Sequence, residues 1–264
     1  MPAAFIGHGS PTNALESNVW TEAWSGFAQQ IPRPRAILAI SAHWYINATA
    51  VTAMSSPATI HDFYGFSDDL FAVQYQAPGS PHLAEEVADL VKPTWVGQDA
   101  DSWGLDHGTW SILTHMYPDA DVPVVQLSID ASEPPDYHVE LGAALNPLRQ
   151  DGVLIVASGN VVHNLRQVQW QRPNFGFDWA REYDETATEL MAERPSEIAR
   201  LFEHKHHHLA APTPDHLLPL FYIAGLAATA EFGTEHFAEG CHLGGLSMTS
   251  HRLEGAGSVS EDPG

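Results

Sequence analysis

Three apolar runs in this chain end in a small or glycine-rich turn that carries a histidine. Ala3-Ala4-Phe5-Ile6 leads into Gly7-His8-Gly9-Ser10-Pro11, and Ala36-Ile37-Leu38-Ala39-Ile40 leads into Ser41-Ala42-His43-Trp44. Val153-Leu154-Ile155-Val156 leads into Ser158-Gly159-Asn160-Val161-Val162-His163. Imidazole ligates metals and also moves protons near neutral pH. Short continuous apolar runs with β-branched content read as buried parallel strands. In open α/β sheets, ligands gather outside the carboxyl ends of the strands. Three histidines far apart in sequence are therefore expected to meet at one sheet edge. A metal site is the economical reason to place His8 and His43 there.

Each histidine also has a plainer role open to it. His8 lies between glycines that allow a sharp turn and leave the ring accessible; it reads as a ligand or as a loop residue bonded to one carbonyl. A phosphate loop is disfavoured, because the GxxxxGK[ST] frame is missing. His43 follows a strongly apolar strand and reads as a ligand or as a buried, carbonyl-satisfied ring. His163 can take or give a proton, or can simply pack beside Asn164 at a helix start. His107 lies between Asp106 and Gly108, and residues adjacent in sequence rarely face each other. His216 follows Pro214-Asp215 at a helix N-terminus, where Asp215 as N-cap and an exposed His216 is the alternative. His204, His206, His207 and His208 read as a solvated helix end, where the helix dipole favours cations. His82, His115, His138, His236, His242 and His251 have no supporting context.

The elements that must position these residues alternate between strand and helix. Helical periodicity covers residues 16–30, ended by Pro32 and Pro34. Residues 81–91 follow, with Ser80 as N-cap and Pro81 at the first position. Further helices are expected over 109–116, 137–148 with Pro147 near its end, 177–192, 195–204 and 217–228. Strands are expected at 36–40, 50–54, 123–129 and 247–253. Between them lies a long aromatic loop, Thr59-Ile60-His61-Asp62-Phe63-Tyr64-Gly65-Phe66, of a length that usually carries function. The pattern implies one α/β domain over residues 1–253 with helices on both faces of the sheet. Residues 254–264 are expected to be a disordered tail. No internal repeat is visible.

The chain has 264 residues and 44% apolar content, enough for one large packed domain. A single cysteine, Cys241, rules out an internal disulfide and a cysteine-based zinc finger. Eleven basic against 33 acidic residues give a net charge of −22, which argues against nucleic acid or an anionic membrane as partner. Lys92 and Lys205 are the only lysines, so the acidic surface suits either a high-salt habitat or simple solubility. No run approaches the roughly 20 apolar residues of a membrane span. The first residues enter a strand without a basic n-region, so a cytoplasmic protein is expected.

Taken together, six blocks are similar to the DOPA-dioxygenase-type branch of the class III (LigB-like) extradiol ring-cleaving dioxygenases. They are Gly7-His8-Gly9-Ser10-Pro11, Ser41-Ala42-His43-Trp44, the 59–66 loop, Asp106-His107-Gly108-Thr109-Trp110, Gly159-Asn160-Val161-Val162-His163-Asn164-Leu165-Arg166, and Pro214-Asp215-His216-Leu217-Leu218-Pro219. The resemblance implies a three-layer α/β/α domain with a mixed, mostly parallel sheet. It also implies a non-haem Fe(II), with Zn(II) in some isolated forms, and an aromatic diol plus O₂ as substrates. Carried onto this sequence, it makes His8, His43 and His216 the metal ligands. His163 becomes the acid/base histidine, sometimes counted among the ligands, and His107 a histidine on the substrate side. His61, Phe63 and Tyr64 are the candidates for the pocket wall.

Three neutral ligands depart from the usual two-histidine, one-carboxylate iron site, resemble the His₃ zinc site of hydrolases, and leave Asp215 as an outer partner for a ligand histidine. The expectation is an extradiol dioxygenase acting on DOPA or a similar catechol, as a monomer or small homo-oligomer. The alternatives are a zinc hydrolase on the same site and a non-catalytic metal-binding protein of the same fold.

Overall fold

A computed structural model describes residues 1–230 and 233–255. The expected tail therefore lies, beyond Gly255, outside the described residues. Eight strands form the main sheet: β1 (Ala3–Gly7), β2 (Ala36–Ile46), β3 (Ala50–Thr52), β4 (Gly97–Asp99), β5 (Val124–Asp130), β6 (Val153–Gly159), β7 (Glu235–Ala238) and β8 (Ser250–Leu253). Their order is β4-β3-β5-β2-β6-β1-β8-β7. The central four, β5-β2-β6-β1, are parallel, and they are the strands whose sequences read as continuous apolar runs. Such runs mark strands covered on both faces. β8 is antiparallel to β1, and β3 is antiparallel to β5, so the sheet is mixed at its margins.

Side chains alternate across the pleat and feed two separate cores. Phe5, Leu38, Ile40 and Ile155 enter one; Ala4, Ile6, Ile37, Ala39 and Leu154 enter the other. The second core is closed by α1 (Val19–Gln30) and, once α2 (Pro81–Leu90) has crossed the opposite face, by α3 (His107–Met116), through Trp24, Phe27, Trp110 and Met116. The first core is closed by α2, α4 (Pro135–Ala144), α5 (Asp178–Glu193) and α6 (Leu218–Ala228). Every position of α6 from Leu218 to Ala227 is buried, as expected of a helix apolar all round. Ser80 caps α2 as its sequence predicts, accepting from the Leu83 N–H at 3.1 Å.

Several expectations need correction. β2 continues past Ile40 to Ile46, with an irregular register between Ile40 and Tyr45, so His43 sits within a bulged strand rather than beyond one. The helix expected over 137–148 is two pieces, α4 and a short turn Asn146–Gln150, because Pro147 has no N–H to give the preceding turn. The 195–204 segment is a 3₁₀ helix, Pro195–Glu203. The final expected strand is two pieces, Leu246–Ser247 and β8. Strands β4 and β7 carry exposed polar residues and lack the apolar run that identified the others.

Candidate metal and catalytic site

The parallel register does the first assembly step. Gly7 pairs with Gly159 and Ser41 with Ser158, so the ends of β1 and β6 and the middle of β2 lie level. His8 is the next residue after β1 and only 1% exposed; its N–H donates to the Gly159 carbonyl at 3.1 Å. His216 enters from the loop before α6, where its carbonyl accepts from the Asn160 N–H at 2.9 Å. Gly159 allows this approach: a Cβ there would lie 2.2 Å from the His216 carbonyl oxygen. His107 is the first residue of α3, whose N-cap is Asp106. His163 hangs from a backbone bond to the Ala210 carbonyl at 2.8 Å.

The five rings converge. Centroids lie 4.9 Å apart for His8 and His43, 5.3 Å for His8 and His216, and 5.1 Å for His43 and His216. His107 stacks on His43 at 3.9 Å, and His163 stacks on His216 at 3.5 Å with planes 3° apart.

Outward bonds decide which nitrogen each ring turns inward. The Ser158 hydroxyl donates to the Gly108 carbonyl at 2.6 Å, so its oxygen accepts from His8 Nδ1–H at 2.9 Å. A neutral imidazole has one N–H, which leaves His8 Nε2 as a bare lone pair. The Asp215 carboxylate takes His216 Nδ1–H in the same way. The Asp62 carboxylate takes His107 Nδ1–H at 2.9 Å. This outer bonding is the usual support of a metal-ligating histidine. His43 Nδ1 faces the Gly108 N–H at 3.2 Å, with Asp62 at 3.3 Å and Asp106 at 3.7 Å.

Burial and the neighbouring rings push the pKa of His8 well below its ordinary value. Burial does the same to His216, assisted by His43, against the pull of Asp215. His107 is lowered by burial and by His43. His163 is lowered to about 2, by burial and then His216. His43 goes the other way: burial opposes its charge, but the bond to Asp106 and the charges of Asp106 and Asp62 raise its pKa. Burial would raise the Asp62 carboxyl, yet its bonds from His107 hold it near 2. Four of the five rings are thus neutral near pH 7, the state in which imidazole ligates.

These groups fit a divalent metal. His43 Nε2 and His216 Nε2 are 3.2 Å apart. Two nitrogens about 2.1 Å from one ion, at tetrahedral to octahedral angles, are roughly 3.0–3.4 Å apart. The coordinating atoms of His8, His43 and His107 lie within 4.8 Å of one another, as do those of His163, Asp215 and His216. His163 is placed differently from the others. Its ring lies parallel to and flat against that of His216. Among the described residues neither ring nitrogen of His163 has a hydrogen-bond partner.

The 59–66 loop supplies one side of the site. Phe63 stands edge-on to His107 at 5.4 Å and packs against Trp110 and Phe71. His61 is one step further out, with its Nε2 bonded to the Val73 carbonyl at 2.9 Å and its ring against Trp110. Tyr64 is 90% exposed. The residues that sequence reasoning missed here are Asp62, Ser158 and Ser41, whose hydroxyl donates to Asp106 Oδ1 at 2.7 Å. Asp62 was in view as the neighbour of His61, but nothing local marks it as the partner of a histidine 45 positions away.

The histidine run also needs correction. His207 is buried at 8% exposure, and its Nδ1 is 3.0 Å from the Tyr183 hydroxyl. It belongs to the packing of α5, not to a solvated end. Asp215 does not cap α6: its carboxylate serves His216, and no side-chain cap precedes Leu218.

Comparison with known proteins agrees with this geometry. The family described as the catalytic LigB subunit of aromatic ring-opening dioxygenase matches residues 3–245. A protein of Escherichia coli (strain K12) named "4,5-DOPA dioxygenase extradiol" is 46% identical over 260 residues, covering 96% of this chain and 94% of its own. A Beta vulgaris protein of the same name is 36% identical over 234 residues, covering 84% and 85%. The crystal structure of an uncharacterized protein from Escherichia coli K12 superposes with a TM-score of 0.83 at 42% identity, covering 96% of this chain and 100% of that one.

Proposed function

Because the chain belongs to the LigB family of aromatic ring-opening dioxygenases, we propose that it opens the ring of a catechol, DOPA or a similar substituted one, by extradiol insertion of O₂ at an Fe(II) site. The observation that carries this reading is the convergence of His8, His43 and His216, with lone pairs of His8 and His216 turned inward and His43 Nε2 3.2 Å from His216 Nε2. These three residues would hold the metal. Fe(II) bound there supplies a redox path between the diol and O₂, which redox-inert Zn(II) does not.

The protein's own residues do the rest. His163 is neutral, has no competing partner for its ring nitrogens among the described residues, and lies against a ligand ring at 3.5 Å. It is the group placed to take a proton from a substrate hydroxyl and return it, because the negative charge left on the substrate oxygen would raise its pKa from the value that burial imposes. Phe63, backed by the buried Trp110, is the apolar side chain nearest to the His107 side of the site. His8 and His216 keep fixed tautomers through Ser158 and Asp215, so the coordinating edge stays preorganised. The 1–253 segment acts as one catalytic domain in this reading. Among the described residues no helix is long and apolar enough to cross a membrane, and a cytoplasmic enzyme is carried forward with it.

The test uses the full chain, stripped of metal and reloaded anaerobically with Fe(II). Catechol-dependent O₂ uptake with a yellow semialdehyde product is expected. No O₂ uptake across a catechol panel, together with ester or amide cleavage by the zinc form, would replace this reading with a hydrolase. Inertness in both assays would leave a metal-binding protein.

A further inference from the structure

We infer that Asp62 is a positioning residue that locks His107 as a hydrogen-bond acceptor toward the substrate and places a fixed negative charge behind His43. The inference rests on the ring-cleavage reading only for what His107 faces.

Asp62 lies in the aromatic loop between His61 and Phe63, with its side chain 15% exposed. One carboxylate oxygen accepts two bonds from the same residue, the His107 backbone N–H at 2.9 Å and the His107 Nδ1–H at 2.9 Å. The first of these satisfies an N–H that the opening turn of α3 leaves without a helical partner. The second fixes the tautomer, because a carboxylate can only accept. His107 Nε2 is then a lone pair. Its ring stands 3.9 Å from His43, 5.9 Å from His8 and 5.4 Å from Phe63. His107 thus lies where the metal ligands meet the aromatic wall. A substrate hydroxyl arriving there meets an acceptor, and gives its hydrogen bond to His107 rather than receiving one.

The second Asp62 oxygen is 3.3 Å from His43 Nδ1. Three histidine ligands lack the negative charge of a carboxylate ligand. Asp62 and Asp106 behind His43 and Asp215 behind His216 return that charge just outside the ligands. Of the three, only Asp62 also bonds the ring of a histidine outside the proposed ligand set, and so ties the metal side of the site to the substrate side.

The test is ¹⁵N NMR of the histidine rings in full-length, zinc-loaded wild type, D62A and D62N, with His107 assigned from a H107Q spectrum. Zinc affinity by competition and thermal melting are measured on the same samples. Wild type should show His107 protonated at Nδ1, with a strongly downfield proton. D62A should release it into a tautomer mixture. D62N, which keeps an oxygen for the backbone N–H and so guards against misfolding, should lose the downfield shift. Both variants should bind zinc about tenfold more weakly. At saturating iron, D62A should lower kcat far more than it raises KM.

A wild-type His107 protonated at Nε2 overturns the assignment. So does a D62A that merely melts lower, with tautomer and zinc affinity unchanged, since that is the behaviour of a helix cap alone. O₂ uptake by iron-loaded wild type tests ring cleavage separately. If it fails while the tautomer result holds, the ring-cleavage reading falls and the Asp62 assignment stands.

Discussion

His8, His43, His107, His163 and His216 come from five separate stretches of the chain and touch one another ring to ring. His204, His206, His207 and His208 are neighbours in sequence and meet only in pairs. His204 and His207 both pack on Tyr183, His206 faces Glu182 at 3.2 Å, and His208 is exposed. The density of histidine in the sequence is greatest in the second group, yet the rings gather around one point in the first. Successive residues on a short helical turn splay around its axis, whereas strand ends in a parallel sheet all point to one edge. A ligand set needs the second arrangement.

The largest effect that bears on this contrast is loss of a ligand. His8→Ala, His43→Ala or His216→Ala should each weaken metal binding by more than the ~100-fold upper range for an outer partner, read by metal analysis after reloading. Full metal content in any of them would break the proposed set. His163→Ala should keep its metal, and turnover should fall about 10²- to 10⁴-fold. Unchanged turnover would remove it from proton transfer.

Acid sensitivity separates isolated buried histidines from the cluster. Burial lowers His138 to about 4 and His251 to about 3. The folded state refuses a proton that the unfolded chain accepts below about 6.5. Stability from each group is therefore complete above that pH and is lost as pH falls toward the folded value, by about 3 kcal/mol for His138. Melting curves at pH 7 and pH 4.5 should draw closer together in a His138→Gln, His251→Gln double variant of the metal-loaded protein, the remaining acid loss belonging to the site histidines that burial also lowers. An acid loss undiminished by the double substitution would place the sensitivity in the site itself.

Gly108→Ala should be smaller. Its Cβ would lie 2.6 Å from Ser41 Oγ and 3.0 Å from His43 Nδ1, so Ser41 must move and His43 must give slightly. A destabilisation of about 1–3 kcal/mol, with weaker metal binding, is expected from melting and metal titration. The smallest effect belongs to the histidine run: His206→Ala with His208→Ala should leave metal stoichiometry and turnover unchanged, and a lost metal equivalent would restore that run as a site.

Much of this was legible in the chain. The four central strands announced themselves as apolar runs because they are buried on both faces. Ser80-Pro81 announced a helix start through cap chemistry. His8 and His163 were readable as residues beyond strand ends because a strand's end is a local feature, whereas the apolar run before His43 hid the bulged continuation of β2 to Ile46. β4 and β7 were not readable, since edge strands with exposed polar residues resemble loops. The burial of His207 was not readable either, because Tyr183 that receives it is remote in sequence.

The sequence by itself determined which residues reach the carboxyl edge of the sheet, for that depends on short-range periodicity and turn chemistry. Only the tertiary structure decided what each imidazole does there. Ser158 meets His8 across 150 positions, Asp62 meets His107 across 45, and the His43 and His216 nitrogens meet across 173. Those bonds set tautomer, charge and coordinating direction. They exist because the parallel register brings β1 and β6 level and the segments carrying Asp62, His107 and His216 close on that edge, contacts that no local pattern of residues encodes.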